Sequence, residues 1–231
     1  MRRSLYALFT MVAVLAITPA ALAGSLCPNT AWIYSDGTQS GPSGSCGAVT
    51  LSIANDNTDT ASVYWGSSSN GSTGLTVGNI GSFNTSVAFS GAAGAEPYYI
   101  LDFKDASGLF GETSGDKILM IENQSGNLIG NDMLLNPNAT LFNVFDDTTE
   151  TYLLSGQADV KTLDAWLALY PGLSNIPTWV GVEMGNGGSG VPATMTVYGA
   201  DYTVTPEPSS LLLLGSGLVS LAGILRRKLR V

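Results

Sequence analysis

The 231-residue chain contains no histidine, only two cysteines, and 9 basic residues against 18 acidic ones. Without imidazole there is no Ser-His-Asp or Cys-His nucleophile, no HExxH zinc helix and no His-ligated iron. A single cysteine pair with no histidine also leaves a structural zinc site short of ligands. Cations are scarcest in the middle of the chain. From Gly24 to Pro208 only Lys104, Lys117 and Lys161 stand against all 18 acids, a net charge of −15. A body this acidic repels nucleic acid and anionic membrane surfaces, so neither is expected as an electrostatic partner. Long apolar runs are missing from it as well; they occur only at the two ends.

At the N-terminus, Arg2-Arg3 precedes an apolar stretch from Leu5 to Ile17, a helix-breaking Pro19 and the small-residue motif Ala21-Leu22-Ala23. This is the layout of a secretory signal peptide over residues 1–23, cut after Ala23. Small residues at both Ala21 and Ala23 argue against a retained anchor, and Leu26 before Cys27 argues against lipid attachment. In an oxidising compartment Cys27 and Cys46 are expected to form one disulfide, closing a short Gly/Ser/Pro-rich loop. With 18 residues between them, the loop-entropy stabilisation is about 3 kcal/mol.

The C-terminal end, residues 205–231, has three parts. Pro206-Glu207-Pro208 cannot continue regular pairing and leaves an extended, accessible segment. Residues 209–225 carry no charge and reach roughly 25 Å as a helix, at the short end of a membrane span. Gly215, Gly217 and Gly223 thin the helix surface, which lets a membrane-embedded partner helix approach closely. Arg226, Arg227, Lys228 and Arg230 follow, in residues 226–231, and are expected to stay cytoplasmic while the body lies on the opposite side. In this order and position, Pro206-Glu207-Pro208-Ser209-Ser210, the Leu-rich run with Gly215-Ser216-Gly217-Leu218, and Arg226-Arg227-Lys228 resemble the PEP-CTERM sorting signal. The resemblance covers about residues 205–231. It implies a Gram-negative bacterium and processing by exosortase, an integral-membrane cysteine protease of transpeptidase type. Cleavage is expected near Pro206–Pro208, after an inner-membrane stage, with delivery to the cell surface or the exopolysaccharide matrix.

The body between these signals, residues 24–204, is rich in Gly, Ser, Thr and Asn, and its apolar residues come in short bursts between turn residues. Strands are expected at 31–35, 49–53, 62–65, 75–80, 86–89 and 98–103. Others are expected at 117–122, 127–130, 140–145, 151–154, 179–184 and 194–202. Leu163, Trp166, Leu167 and Tyr170 share one helical face, with Thr162 or Asp159 as cap and Pro171-Gly172 as stop. Many short strands with one helix favour a mainly β fold, an antiparallel two-sheet sandwich of jelly-roll type.

No local motif in the body singles out a catalytic centre. Glu96, Glu112, Glu122, Glu150 and Glu183 are the only glutamates from which a glycosidase pair can be drawn there. No cofactor is required. Calcium is the ion that Asn55-Asp56-Asn57-Thr58-Asp59 and Asp146-Asp147 can take, but the EF-hand spacing fails, and an Asx turn explains the first loop better. Trp32, Tyr34, Tyr64, Trp65, Tyr98, Tyr99 and Trp179 are candidates for a glycan platform or for ordinary packing. In the adjacent pairs Tyr64-Trp65 and Tyr98-Tyr99, one member must face away from the other. The expected function is a non-catalytic exported surface or matrix protein. The alternatives are a glycan-binding module, calcium-supported or not, and a carboxylate-pair polysaccharide hydrolase.

Overall fold

The computed structural model describes residues 22–28, 32–35, 37–40, 47–66, 75–92, 95–103, 110, 118–122, 128–129, 132–154, 159–185, 190–205, 215–217 and 219. Ala23–Val204 forms one compact unit, and Met1–Leu22 with Thr205–Val231 forms another. Among the described residues the body is two sheets. Sheet A runs β3 (Thr38–Ser40), β4 (Val49–Ile53), β15 (Ala193–Val204), β6 (Ile80–Ser90), β10 (Asp132–Leu135), β9 (Leu128–Ile129), with β1 (Leu22–Leu26) also on β15. Sheet B runs β12 (Thr151–Tyr152), β11 (Leu141–Asp146), β8 (Ile118–Glu122), β7 (Tyr98–Phe103), β14 (Thr178–Gly185), β5 (Thr60–Trp65), β2 (Trp32–Ser35). In that sheet β13 (Lys161–Thr162) also pairs with β11.

Alternation decides which side chains fill the space between the sheets. In β4, Val49, Leu51 and Ile53 point inward while Thr50 and Ser52 point out. β14 sends Val180, Val182 and Met184 into the same core. Its neighbours β5 and β7 add Ala61, Val63, Trp65, Tyr99, Leu101 and Phe103. A strand with one apolar face can be buried in one register only, because a slip of one residue would expose that whole face.

Across this apolar layer runs one polar bridge. Tyr99 belongs to sheet B, yet its hydroxyl lies among acceptors of sheet A: the Met133 carbonyl at 2.6 Å, the Phe83 carbonyl at 3.0 Å and Thr85 Oγ1 at 3.1 Å. Phe83 meets the Tyr99 ring edge-on at 6.1 Å. Burial pushes the Tyr99 phenol well above its ordinary value; the hydrogen bonds with Thr85 oppose that shift and the nearby Glu122 adds to it.

The expected helix forms as α1 (Leu163–Leu169). Thr162 caps it, its hydroxyl accepting the Ala165 N–H at 3.3 Å, and Asp164 adds a favourable charge in the first turn. A 3-10 turn over Pro171–Asn175 ends it. Trp166 donates its indole N–H to the Phe142 carbonyl at 2.9 Å, and Phe110 meets its ring edge-on. Lys161 stands 4.6 Å over the same ring and pairs with Asp159. The expected strand over 75–80 is different in the structure: Thr76 forms a single bridge with Pro177, Val77–Asn79 is a 3-10 turn, and β6 begins at Ile80. The cause is Asn79, whose side chain accepts the Thr76 N–H at 2.9 Å and curls the chain before the sheet starts.

Tyr99→Phe removes the hydroxyl and leaves buried acceptors of sheet A with one donor fewer. Unfolding in urea should show a loss of about 1–3 kcal/mol with an unchanged m-value. A loss below a few tenths of a kcal/mol would mean that the bridge contributes nothing.

Candidate functional site

The aromatic residues nominated from sequence are largely consumed by packing. Trp65 and Tyr99 face the core; their neighbours Tyr64 and Tyr98 face the outer side of sheet B. There the two phenols converge on one carboxylate. Tyr98 donates to Glu183 Oε1 at 2.5 Å and Tyr64 to Oε2 at 3.2 Å. Register explains it: Tyr98 is the cross-strand partner of Glu183 on β7, while Tyr64 is opposite Gly181 on β5. Tyr64 lies flat over Gly181, where an added Cβ would come within 2.4 Å of its ring. Trp179 meets Tyr64 at 6.5 Å, near edge-on, and Ile100, Leu119, Ile121 and Phe145 complete the cluster. Tyr34 on β2 is 43 % exposed. Trp32 is described only in its backbone.

Burial, followed by the Glu183 charge, raises the Tyr64 and Tyr98 phenols well above their ordinary value. Tyr99 shifts the same way. A folded-state pKa raised above the unfolded one favours the neutral form. The stabilisation is therefore complete below about pH 10 and is lost as pH rises beyond it.

The described glutamates do not assemble into a cleft. Glu122 occupies an inward position on β8 with Ile118 and Met120, and its Oε2 accepts the Tyr99 N–H at 2.7 Å. Glu183 is half-buried and outward on β14, so Glu122 and Glu183 belong to opposite faces of one sheet. Glu96 is half-buried, Glu150 is exposed in a turn with φ 55°, and Glu112 lies outside the described residues.

Both acidic loops are Asx-type turns. Asn55 Oδ1 accepts the Asn57 N–H at 3.0 Å, and Asp59 Oδ2 accepts the Asn55 N–H at 3.1 Å. Asp56 is buried and its Oδ1 accepts the Val191 N–H at 2.9 Å, tying the loop to the start of β15. Asp146 accepts the Thr149 hydroxyl at 2.7 Å and the N–H groups of Thr148 and Thr149 at 2.9 and 3.3 Å. Desolvation works to raise its pKa, but these donors outweigh it and hold the carboxyl below its ordinary value of 3.8. Among the described residues, no group of three or more His, Cys, Asp or Glu could hold a metal ion.

The outer face of sheet A has a different chemistry. Thr50 pairs with Thr196 at 2.9 Å, Ser52 with Thr194 at 3.0 Å, and Ser82 with Thr203 at 2.8 Å, so hydroxyls run across three strands. Tyr198, the extra residue where the β15 register shifts, is 51 % exposed beside them. On this face lies a groove of about 320 Å³, lined by Ala23, Gly24 and Ser25 of β1, Ser82 and Asn84 of β6, and Asp201, Tyr202 and Thr203 of β15. The chain positions expected to be processed are close to these strands in sequence. Ala23 is inside β1 and exposed; one residue, Thr205, separates the end of β15 from Pro206.

The other nominated positions, Ala21, Cys46, Pro206, Glu207, Pro208, Arg226, Arg227, Lys228 and Arg230, lie outside the described residues. Cys27 is half-buried after β1, and its carbonyl accepts the Trp65 indole N–H at 3.2 Å. Residues 215–217 and 219 are helical, and no helix among the described residues is long and apolar enough to cross a membrane.

The family model of the PEP-CTERM protein-sorting motif matches residues 204–228. No curated protein matches the chain. Among solved structures, similarity is found to a low-affinity xylan-binding module from Roseburia intestinalis, at 12 % identity and a TM-score of 0.34, over 80 % of this chain and 96 % of that one. Winged bean acidic lectin, solved with methyl-α-D-galactose, is similar at 10 % identity and a TM-score of 0.39, over 81 % and 100 %. Botulinum neurotoxin type C, whose cell entry depends on two ganglioside molecules, gives 11 % and 0.35, over 86 % and 51 %. At these scores the three likenesses carry no argument about this chain.

Two titrations check the electrostatics. Absorbance at 295 nm should show Tyr64, Tyr98 and Tyr99 resisting ionisation above pH 10 until the chain unfolds; smooth ionisation of every tyrosine near pH 10 without unfolding would contradict their burial. At the acid end, Asp146 contributes stability above its unfolded pKa and loses it as pH falls through the lower folded value. Asp146→Asn should therefore destabilise at pH 6 and cost less at pH 2. A difference independent of pH would remove the carboxylate's role.

Proposed function

We propose that this chain, which carries the PEP-CTERM protein-sorting motif, is an exported, non-catalytic surface or extracellular-matrix protein delivered by exosortase. The observation that carries the reading is the family match over residues 204–228, together with its place in the chain. The match begins at Val204, the last residue of β15, which is still registered with Ile80 of β6. Pro206 and Pro208 lack the N–H that a ladder needs, which suits a segment whose backbone a processing enzyme must reach. Beyond them, an apolar run of membrane-spanning length and four cations supply a temporary hold on the inner membrane, with the body outside. Residues 1–23 act as the signal peptide in this reading, with cleavage after Ala23.

Replacing Pro206-Glu207-Pro208 by three alanines in the native host, and following the C-terminal peptide by mass spectrometry, tests the delivery step. Loss of processing and retention of the full tail in the membrane fraction is expected. Equal processing of both forms would defeat recognition of the motif. The Cys27–Cys46 disulfide belongs to the same export reading: the periplasmic protein should take up two alkyl groups only after reduction, and alkylation without reductant would remove the bond.

A second reading, binding to a neutral matrix glycan, is favoured by the hydroxyl array on sheet A. Paired Thr and Ser hydroxyls beside the exposed Tyr198 ring offer hydrogen bonding and an apolar face together, the combination sugars need. In this reading the glycan is bound with or without calcium. Glycan arrays with and without chelator test it: binding that Tyr198→Ala weakens is expected, and no binding under either condition ends the idea.

A further inference from the structure

The groove on sheet A has an imbalance that neither reading uses. Ser82 and Thr203 satisfy each other, but Asn84 Oδ1 is buried and without a hydrogen-bond partner. A buried acceptor in that state has lost water and gained nothing in exchange. Asp201, the cross-strand partner of Asn84, adds an exposed carboxylate to the same groove. Among the described residues no lysine or arginine lines it. The groove therefore suits a positively charged group with several N–H donors.

We infer that this groove is the seat of the α-ammonium group of Gly24, created when residues 1–23 are removed. The inference rests on the export reading, which places the cut after Ala23. In the uncut chain the Gly24 nitrogen is an amide with one donor, and Ala23 forms part of the groove wall. After the cut Ala23 is gone and the nitrogen becomes a cation with three donors. Gly24 itself is packed close to β15, since an added Cβ would be 2.5 Å from Tyr202 Cε1 and only glycine fits without moving the ring. Tyr202 is held in turn by stacking on Phe83, with centroids 6.4 Å apart and planes at 27°. The groups that line the groove with Gly24 after the cut are Ser25 on β1, Ser82 and Asn84 on β6, and Asp201, Tyr202 and Thr203 on β15. Asp201 is the one carboxylate among them, so the ammonium gains an opposite charge and an acceptor.

The consequence reaches the other end of the body. β1 pairs with β15, the strand whose chain continues through Thr205 into the sorting motif. Removing the N-terminal signal thus adds a charge pair that braces the strand from which the C-terminal signal leaves.

The test uses a chain running from Gly24 to Val231, released from an N-terminal fusion by a protease that leaves no extra residue and kept in detergent. Competitive acetylation against pH, read by mass spectrometry, gives the α-amine pKa. It should lie about half a unit above the ordinary range near 7.7–8.0, roughly a threefold gain in proton affinity. Asp201 is exposed, so D201N should fold and return the value to the ordinary range. A chain starting at Ala23, with its ammonium one residue further out, should also show the ordinary value. An ordinary pKa in the Gly24 chain, or a raised one that D201N leaves unchanged, overturns the inference through the groove. A native N-terminus other than Gly24, sequenced from the envelope protein, overturns it through its premise instead.

Discussion

The two sheets are held in one relative position by a hydroxyl. An apolar core is non-directional, so sliding one sheet over the other by a few ångströms changes little buried area. The Tyr99 phenol removes that freedom, because its oxygen must reach Met133, Phe83 and Thr85 together. Loss of that fit would leave polar atoms stranded in the core, at a cost larger than any single methylene contact there. The Tyr99 backbone is fixed separately, by the Glu122 carboxylate that accepts its N–H. A buried acid next to a buried phenol is acceptable only because each is hydrogen-bonded.

Once that position is set, the two outer faces diverge. Sheet B uses its outer aromatics internally: Tyr64 lies across Gly181, Tyr98 binds Glu183, and Trp179 leans on Tyr64. Most of the stacking area that could meet a ligand there already meets protein. On sheet A, by contrast, the outer side chains are short and hydroxylated, and neighbouring strands satisfy each other in pairs. Paired hydroxyls retain spare acceptor and donor capacity toward solvent, so the polar sheet is the one open to partners.

Sequence reading did best in strands whose inward face is wholly apolar. β4 and β7 match the expected ranges 49–53 and 98–103, because Val49, Leu51, Ile53 and Tyr99, Leu101, Phe103 carry an unbroken inward pattern; β4 alternates in burial, while in β7 Tyr98 and Ile100 are buried as well. The helix was equally legible from Leu163, Trp166 and its Thr162 cap. β10 was missed: Asp132-Met133-Leu134-Leu135 has two buried positions, too few to register as a period. β1 is hidden in the sequence because Leu22 and Ala23 read as part of a signal-peptide cleavage site, and a short segment can be cleavage sequence and strand edge together. The Glu183 cluster was illegible for another reason. It depends on which residues oppose each other across β5, β14 and β7, and no local spacing in the chain encodes that pairing. Tyr198 was visible in the alternating run 194–198, but its exposure comes from the register shift beside it.

Charge finally separates the labour between body and tail. The region from Gly24 to Pro208 bears 18 acids and three lysines, and one of those lysines, Lys161, is engaged with Asp159 and the Trp166 ring. Facing an anionic lipid surface, such a body is repelled within a Debye length of about 8–10 Å. In the proposed export reading, the membrane affinity left after removal of residues 1–23 belongs to the tail, where four of the chain's nine basic residues are gathered behind the apolar run. A body that adhered to lipid by itself would stay at the membrane after its tail was cut. In the proposed delivery, a repelled body leaves once the covalent link is broken, so its acidity would serve release and the basic end of the tail retention.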